Sequence, residues 1–262
     1  MSTPTPAILV LGASSGFGEA TVRAFAAAGY DVFGVHLDRA AGLAHVAEIV
    51  AAVEAHGRRA RFFNVNAADA GKRAEVVDQL RLEIPAGGLA VLLHSLAFGT
   101  LKPLVTDDEK EALNQRQLEM TLDVMANSLV YWTQDLVRAG LLGRGGRIYA
   151  MTSAGDRIIW KAYGAVSAAK CALESHIRQL AVELAPAGIT ANAIKAGVTD
   201  TPALRKIPGN TEIIESALAR NPSGRLTTPE DVARCLVALA APGTQWLTGN
   251  VIQVDGGEDV AG

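Results

Sequence analysis

The chain is predicted to fold as one α/β domain, a doubly wound parallel sheet of about seven strands flanked by helices. Three observations lead there. Short apolar runs alternate with longer stretches of helical periodicity along the whole chain, and repeated β-α-β order gives parallel strands joined by right-handed crossovers. The apolar runs are nearly continuous, as in strands covered on both faces. No linker, internal repeat or low-complexity stretch divides the 262 residues, a length that suits one large domain.

The first strand is expected at 7–11, followed by the turn Gly12-Ala13-Ser14-Ser15-Gly16-Phe17-Gly18 and a helix over 18–28. A second strand at 31–35 leads into His36, Asp38 and Arg39, then a helix over 43–56. The third strand, 61–65, carries Asn64 and Val65 and precedes a helix over 72–83. The fourth, 89–94, ends in His94-Ser95-Leu96-Ala97-Phe98, and one long helix is expected over 108–139. A fifth strand at 147–151 precedes Ser153, and a helix over 163–185 bears Tyr163 and Lys170. The sixth, 190–194, runs into Ala196-Gly197-Val198-Thr199-Asp200-Thr201. The region 199–225 is the least regular, broken by Pro202, Pro208, Gly209, Pro222 and Gly224. A loop with a short helix there would sit beside the strand C-termini, where α/β folds bind ligands, as a candidate substrate lid. A helix over 229–240 and a strand at 251–254 complete the order.

Composition narrows the function classes. The chain is 49% hydrophobic and 19% charged, with a formal charge of −3. That balance suits a soluble enzyme and gives no footing for a nucleic-acid surface. Cys171 and Cys235 lie far apart in helical patterns, so a disulfide framework is not expected and a reducing, cytoplasmic setting fits. The start, Met1-Ser2-Thr3-Pro4-Thr5-Pro6, lacks the regions of a signal peptide. No apolar run is long enough to span a bilayer. The five histidines show no metal-ligand spacing, so no metal is expected.

Two groups of residues carry chemistry. The glycine turn lies between a strand and a helix, where glycines allow a tight turn and let backbone N–H groups approach a pyrophosphate. Tyr163 and Lys170 stand seven residues apart, about two helical turns or roughly 10.5 Å, on one face. A phenol beside an ammonium makes a proton donor, and the Lys charge is expected to lower the Tyr pKa.

The Gly-x3-Gly-x-Gly spacing, the Tyr–Lys pair and the segments around Asn64-Val65, Asn192 to Thr201 and Thr248 to Gly257 resemble the short-chain dehydrogenase/reductase superfamily over nearly the whole chain. The resemblance implies a Rossmann-type sheet and an NAD(P)H-dependent reductase. It implies cofactor contacts from Gly12, Ser14, Ser15, Gly16, Phe17 and Gly18, from Asn64 and Val65, from Ser95, Leu96 and Ala97, and from Ala196, Gly197, Val198, Thr199 and Thr201. Lys170 would also hydrogen-bond the nicotinamide ribose. The commoner branch places its Tyr four residues before the Lys, which here is Val166, and its relay Asn falls at Met125. The spacing of seven, the His-Ser-Leu-Ala-Phe run and the Ile-Lys-Ala-Gly run are similar to the divergent branch that contains enoyl-acyl-carrier-protein reductases.

The expected reaction is therefore reduction of the C=C bond of an enoyl thioester, with Tyr163 as proton donor. Ser153 stands where the carbonyl-reducing branch keeps its substrate-orienting Ser, so carbonyl reduction by Ser153, Tyr163 and Lys170 is the alternative. A dinucleotide-sensing protein without turnover is a third reading, against which the presence of both Tyr163 and Lys170 counts. His36 falls at the position of the acid that binds the ribose diol of NAD, with Asp38 and Arg39 just beyond. Arg39 could pair with a 2′-phosphate, which tips the expectation to NADPH over NADH. Apolar residues around the helices at 108–139 and 163–185, among them Leu129, Tyr131, Trp132, Leu173 and Ile177, suggest a homo-oligomer, a tetramer by the resemblance.

Overall fold

The computed structural model describes residues 5–156 and 159–261. The first four residues, part of the start in which no leader pattern is read, lie outside them. Seven strands, β1 (Ala7–Leu11), β2 (Asp31–His36), β3 (Ala60–Asn64), β4 (Leu89–His94), β5 (Arg147–Ser153), β6 (Thr190–Ala196) and β7 (Val251–Val254), form one parallel sheet. Their order is β3-β2-β1-β4-β5-β6-β7. The order reverses between β1 and β4, which places a ligand crevice beyond the C-terminal ends of those strands.

The apolar runs became strands because both faces of the sheet are covered. Successive side chains point to opposite faces. Leu9, Leu11, Leu92, Ile148 and Ala150 join a core with α3 (Ala70–Glu83), α5 (Ser128–Arg138) and α6 (Gly164–Leu184). Ile8, Val10, Val91, Leu93, Tyr149 and Met151 join a second core with α1 (Gly16–Ala27), α2 (Leu43–Glu54) and α8 (Pro229–Ala240). Thr228 opens α8 with a capping box to Asp231 and a proline in the first turn, a local start signal that needs no tertiary help. Among the described residues, no helix is long and apolar enough to cross a membrane.

One expectation is corrected here. The helix over 108–139 is not continuous. Asn114 caps α4 (Gln115–Leu122) through a capping box with Gln117, so residues 108–114 stay outside it. A π-helical turn, Asp123–Asn127, then separates α4 from α5. At its end the Ser128 N–H reaches back five residues to the Asp123 carbonyl, and the Ser128 hydroxyl donates to the Val124 carbonyl at 2.8 Å. Such wide turns mark helices bent around a site. Of the five residues expected on an oligomer face, four are turned into the chain. Leu129, Trp132, Leu173 and Ile177 are buried in the core of the chain itself. Tyr131 alone of the five is exposed, with the Arg73 guanidinium 5.3 Å above its ring.

The irregular region contains a short 3-10 turn, Leu204–Lys206, and α7 (Asn210–Arg220). Its end is tied down where the Asn221 amide donates to the Asp255 carbonyl at 2.9 Å.

Candidate active site

The crevice begins at the glycine turn. Gly12 and Gly16 take φ values of +90° and +54°, in the left-handed region that glycine adopts without strain. The Gly12 and Ala13 N–H groups donate to the Val35 carbonyl at 2.8 and 3.0 Å, fixing the turn to β2. A Cβ on Gly12 would overlap the Ser95 carbonyl oxygen, and one on Gly18 would overlap the Gly12 carbonyl oxygen. A Cβ on Gly16 would meet only Thr201, with its Cγ2 at 3.5 Å. The turn therefore lies beside the segment after β6. Ser15 precedes α1 in an extended conformation and its side chain makes no cap, so the first N–H groups of α1 are left without a side-chain cap at this turn. This cradle fits the pyrophosphate of a dinucleotide.

The other walls come from the ends of β2, β4 and β6. Asp38 is held on two sides. Its carboxylate takes a 2.8 Å contact from His36 Nδ1, and its backbone N–H and carbonyl pair with the Asn64 side chain at 3.0 Å each. Partial burial pushes the Asp38 carboxyl up, but hydrogen bonds from Ser14 and His36 outweigh it and leave the group below its ordinary value. Arg39 is exposed, and its side chain makes no hydrogen bond or ion pair among the described residues. Asn64 thus braces the Asp38 loop, and Val65 packs on the core with its N–H on the His36 carbonyl at 2.9 Å.

At the end of β4, the Ser95 N–H donates to the Leu11 carbonyl at 2.9 Å. Leu96 reaches the glycine turn and packs on the core, while Ala97 is exposed. His94, 1% exposed, approaches Ser128 Oγ with Nε2 at 2.9 Å. Because that hydroxyl gives its proton to Val124, His94 Nε2 is the donor. Burial, reinforced by the Lys170 charge, takes the imidazole down to about 3, so His94 is neutral.

Beyond β6, Ala196 joins the second core, and Gly197 packs so closely on Thr227 and Glu258 that no side chain fits there. The Val198 N–H donates to Glu258 Oε2 at 3.0 Å. Thr199 bonds back to the Gly197 carbonyl at 3.0 Å, and Thr201 caps the following turn through the Leu204 N–H at 3.2 Å.

Tyr163 precedes the first residue of α6 with φ −95° and ψ −1°, after Ala162 at φ +65°. A left-handed alanine next to a site residue is the kind of local strain that functional sites retain. The Tyr163 ring lies against Gly155, where a Cβ would overlap it, and Ser153 Oγ would lie 3.2 Å from the same Cβ. Burial pushes the Tyr163 phenol up, with Ser153 opposing. This corrects the expectation that Lys170 lowers it. The Lys170 ammonium is spent elsewhere, donating to the Met151 carbonyl at 2.8 Å. Burial brings Lys170 down to about 8, with Glu174 pulling the other way. Ser153 Oγ itself is buried and has no well-aligned hydrogen bond. It stands close enough to the Tyr163 hydroxyl to influence it, without the geometry of a formed bond.

Val166 occupies the position four residues before Lys170. It is 6% exposed and faces inward, its Cγ2 3.0 Å from where a Cβ on Gly99 would sit, with Met125 Sδ at 2.9 Å on the same point. Met125, buried in the π turn, lies in that packing rather than in a polar relay.

Two buried features were not read from the sequence. Lys195 Nζ forms an ion pair with Asp156 Oδ2 at 2.8 Å, joining β6 to the segment after Ser153. Glu174, one turn beyond Lys170, accepts a 2.7 Å hydrogen bond from the Thr152 hydroxyl. The second was legible in principle as an acidic residue four places after Lys170 on the same helical face.

Residues 12–258 match a family model described as Enoyl-(Acyl carrier protein) reductase. The chain is 32% identical over 184 residues to the NADH-dependent enoyl-acyl-carrier-protein reductase of Aquifex aeolicus, covering 69% of this chain and 66% of that enzyme. It is 30% identical over 254 residues to the 3-oxoacyl-acyl-carrier-protein reductase of Aggregatibacter actinomycetemcomitans, covering 95% of this chain and 98% of that one. Among solved structures, a short-chain dehydrogenase from Burkholderia cenocepacia in complex with NADP superposes with a TM-score of 0.82 at 28% identity, covering 97% of this chain and 98% of that one.

Proposed function

The chain belongs to the short-chain dehydrogenase/reductase superfamily as an NAD(P)-dependent oxidoreductase, and from that premise we propose that it reduces the C=C bond of an enoyl thioester with Tyr163 as proton donor. The observation that carries this reading is the inward packing of Val166 on Gly99 and Met125. With a packed valine at that position, the phenol at the start of this helix is Tyr163, three residues earlier, roughly 4.5 Å along the helix. In conjugate reduction the carbon that gains hydride and the oxygen that gains charge are separated, and a displaced donor suits that separation.

When bound, the nicotinamide supplies the hydride. The electron pair arriving at the β-carbon of the enoyl group moves charge to the thioester oxygen. Tyr163, a phenol that burial makes still weaker as an acid, gives its proton to that oxygen, and the enol returns to the saturated thioester by taking a proton at the α-carbon and releasing the one on oxygen. Lys170 places a positive charge beneath the site. The segment 199–225, with α7, is read as the cover over the acyl chain.

Ser153 supports a second reading, carbonyl reduction, because its buried, poorly bonded hydroxyl stands beside Tyr163. Oxidation of NADPH and NADH with crotonyl thioester, acetoacetyl thioester and simple ketones separates the two, using the parent and Ser153→Ala. Enoyl thioester turnover that survives in Ser153→Ala is the expected result. Activity confined to ketones, and lost with Ser153, would replace the first reading by the second.

For the dinucleotide, Arg39 favours NADPH in the sequence, but the geometry supports NADH. The Asp38 carboxylate is fixed by His36 and faces Ser14 of the glycine turn, where it can accept from a ribose diol and would repel a 2′-phosphate. Asp38→Ala should weaken NADH by about 1.5–3 kcal/mol, as for a hydrogen bond to a charged group, and NADPH much less. Arg39→Ala should leave NADH unchanged. Titration calorimetry that finds equal losses for both cofactors in Asp38→Ala would refute this assignment.

A further inference from the structure

Lys170 and Glu174 are the charged side chains that α6 buries, at 6% and 8% exposure. Four residues apart, they stack one turn above the other. Among the described residues they do not bond to each other. The ammonium donates to the Met151 carbonyl at 2.8 Å, and Glu174 Oε1 accepts from the Thr152 hydroxyl at 2.7 Å. Both charges are therefore pinned to consecutive residues of β5, and the next residue is Ser153.

An isolated buried ammonium tends to lose its proton, and a nearby carboxylate opposes that loss. Among the described residues, the elements packed around α6 offer no other unpaired negative charge at this depth. His94 of β4 is neutral, and Lys195 of β6 is paired with Asp156. Tyr163 is a protonated phenol. Asp123 of the π turn is only partly buried, Arg116 and Glu119 of α4 are exposed, and Asp135 of α5 pairs with Arg73 at 2.6 Å. Arg147 lies at the opposite end of β5.

We propose that Glu174 is a positioning residue of the active site, whose carboxylate, anchored to β5 through Thr152, keeps Lys170 charged and seated on the Met151 carbonyl. The relevance to turnover rests on the role given to Lys170 above, but the arrangement itself is testable without substrate. The measurement is the NMR titration of the Lys170 side-chain carbon Cε through the neutral and alkaline range, in the full chain without cofactor. Glu174→Gln should lower the Lys170 midpoint by on the order of one pH unit or more, and Glu174→Asp should recover most of that shift. An unmoved midpoint in Glu174→Gln, or an equal drop in Glu174→Asp, would overturn the proposal. If Glu174→Gln does not fold, Thr152→Val decides, because releasing the Glu174 carboxylate from β5 should also lower the Lys170 midpoint. An unmoved midpoint in Thr152→Val overturns it as well. Failure to reduce any enoyl thioester would count against the proposed reaction and leave these midpoints unaffected.

Discussion

Tyr163→Phe should turn over about 10²–10⁴-fold more slowly on every active substrate, the range for loss of a positioned general acid. The substitution keeps the ring that packs against Gly155 and the core, so melting temperature and cofactor affinity should stay near the parent values. Only the hydroxyl is lost, and with it the proton donor, whose pKa burial raises. Steady-state kinetics with the best substrate and cofactor titration of the same preparation make the check. A parent-like rate would place the donor elsewhere and remove the central assignment. Lys170→Ala is a poorer probe, because it also strips the Met151 carbonyl of its donor and leaves Glu174 without the charge it faces.

The second large effect is expected at Gly18. Any Cβ there would overlap the Gly12 carbonyl oxygen, so the obstacle is backbone and cannot rotate away. Gly18→Ala must therefore shift the turn, and Gly18→Val, with a branched Cβ, must shift it further. Overpacking of this kind costs about 1–3 kcal/mol of stability. The displaced turn no longer presents its N–H groups to a pyrophosphate. NAD(P)H affinity should fall sharply in both variants while the sheet remains folded by circular dichroism. Calorimetry that finds unchanged affinity in a folded Gly18→Val protein would show that the dinucleotide does not sit on this turn.

What the amino-acid order settled by itself is whatever depends on short-range geometry. All seven strands were legible; the central ones lie between two helical layers and so need an apolar residue at nearly every position. The glycine turn was legible because left-handed φ values and close backbone approach exclude other residues. The seven-residue spacing of Tyr163 and Lys170 was equally plain. Tertiary structure alone decided the rest. The break in the helix over 108–139 falls where Ser128 bonds to Val124 and meets His94 from a strand 34 residues away. The direction of the Tyr163 shift was misjudged because a charge on the same helix was visible, whereas burial and the Met151 carbonyl that engages Lys170 were not. Leu129 and Trp132 looked like an interface until the sheet was seen to cover them. Asp38 gained its posture from His36 and from Asn64, 26 residues away. Backbone preference and periodicity act within a few residues and are written in the chain, whereas desolvation and the partner of a buried charge are set by segments that only folding brings together.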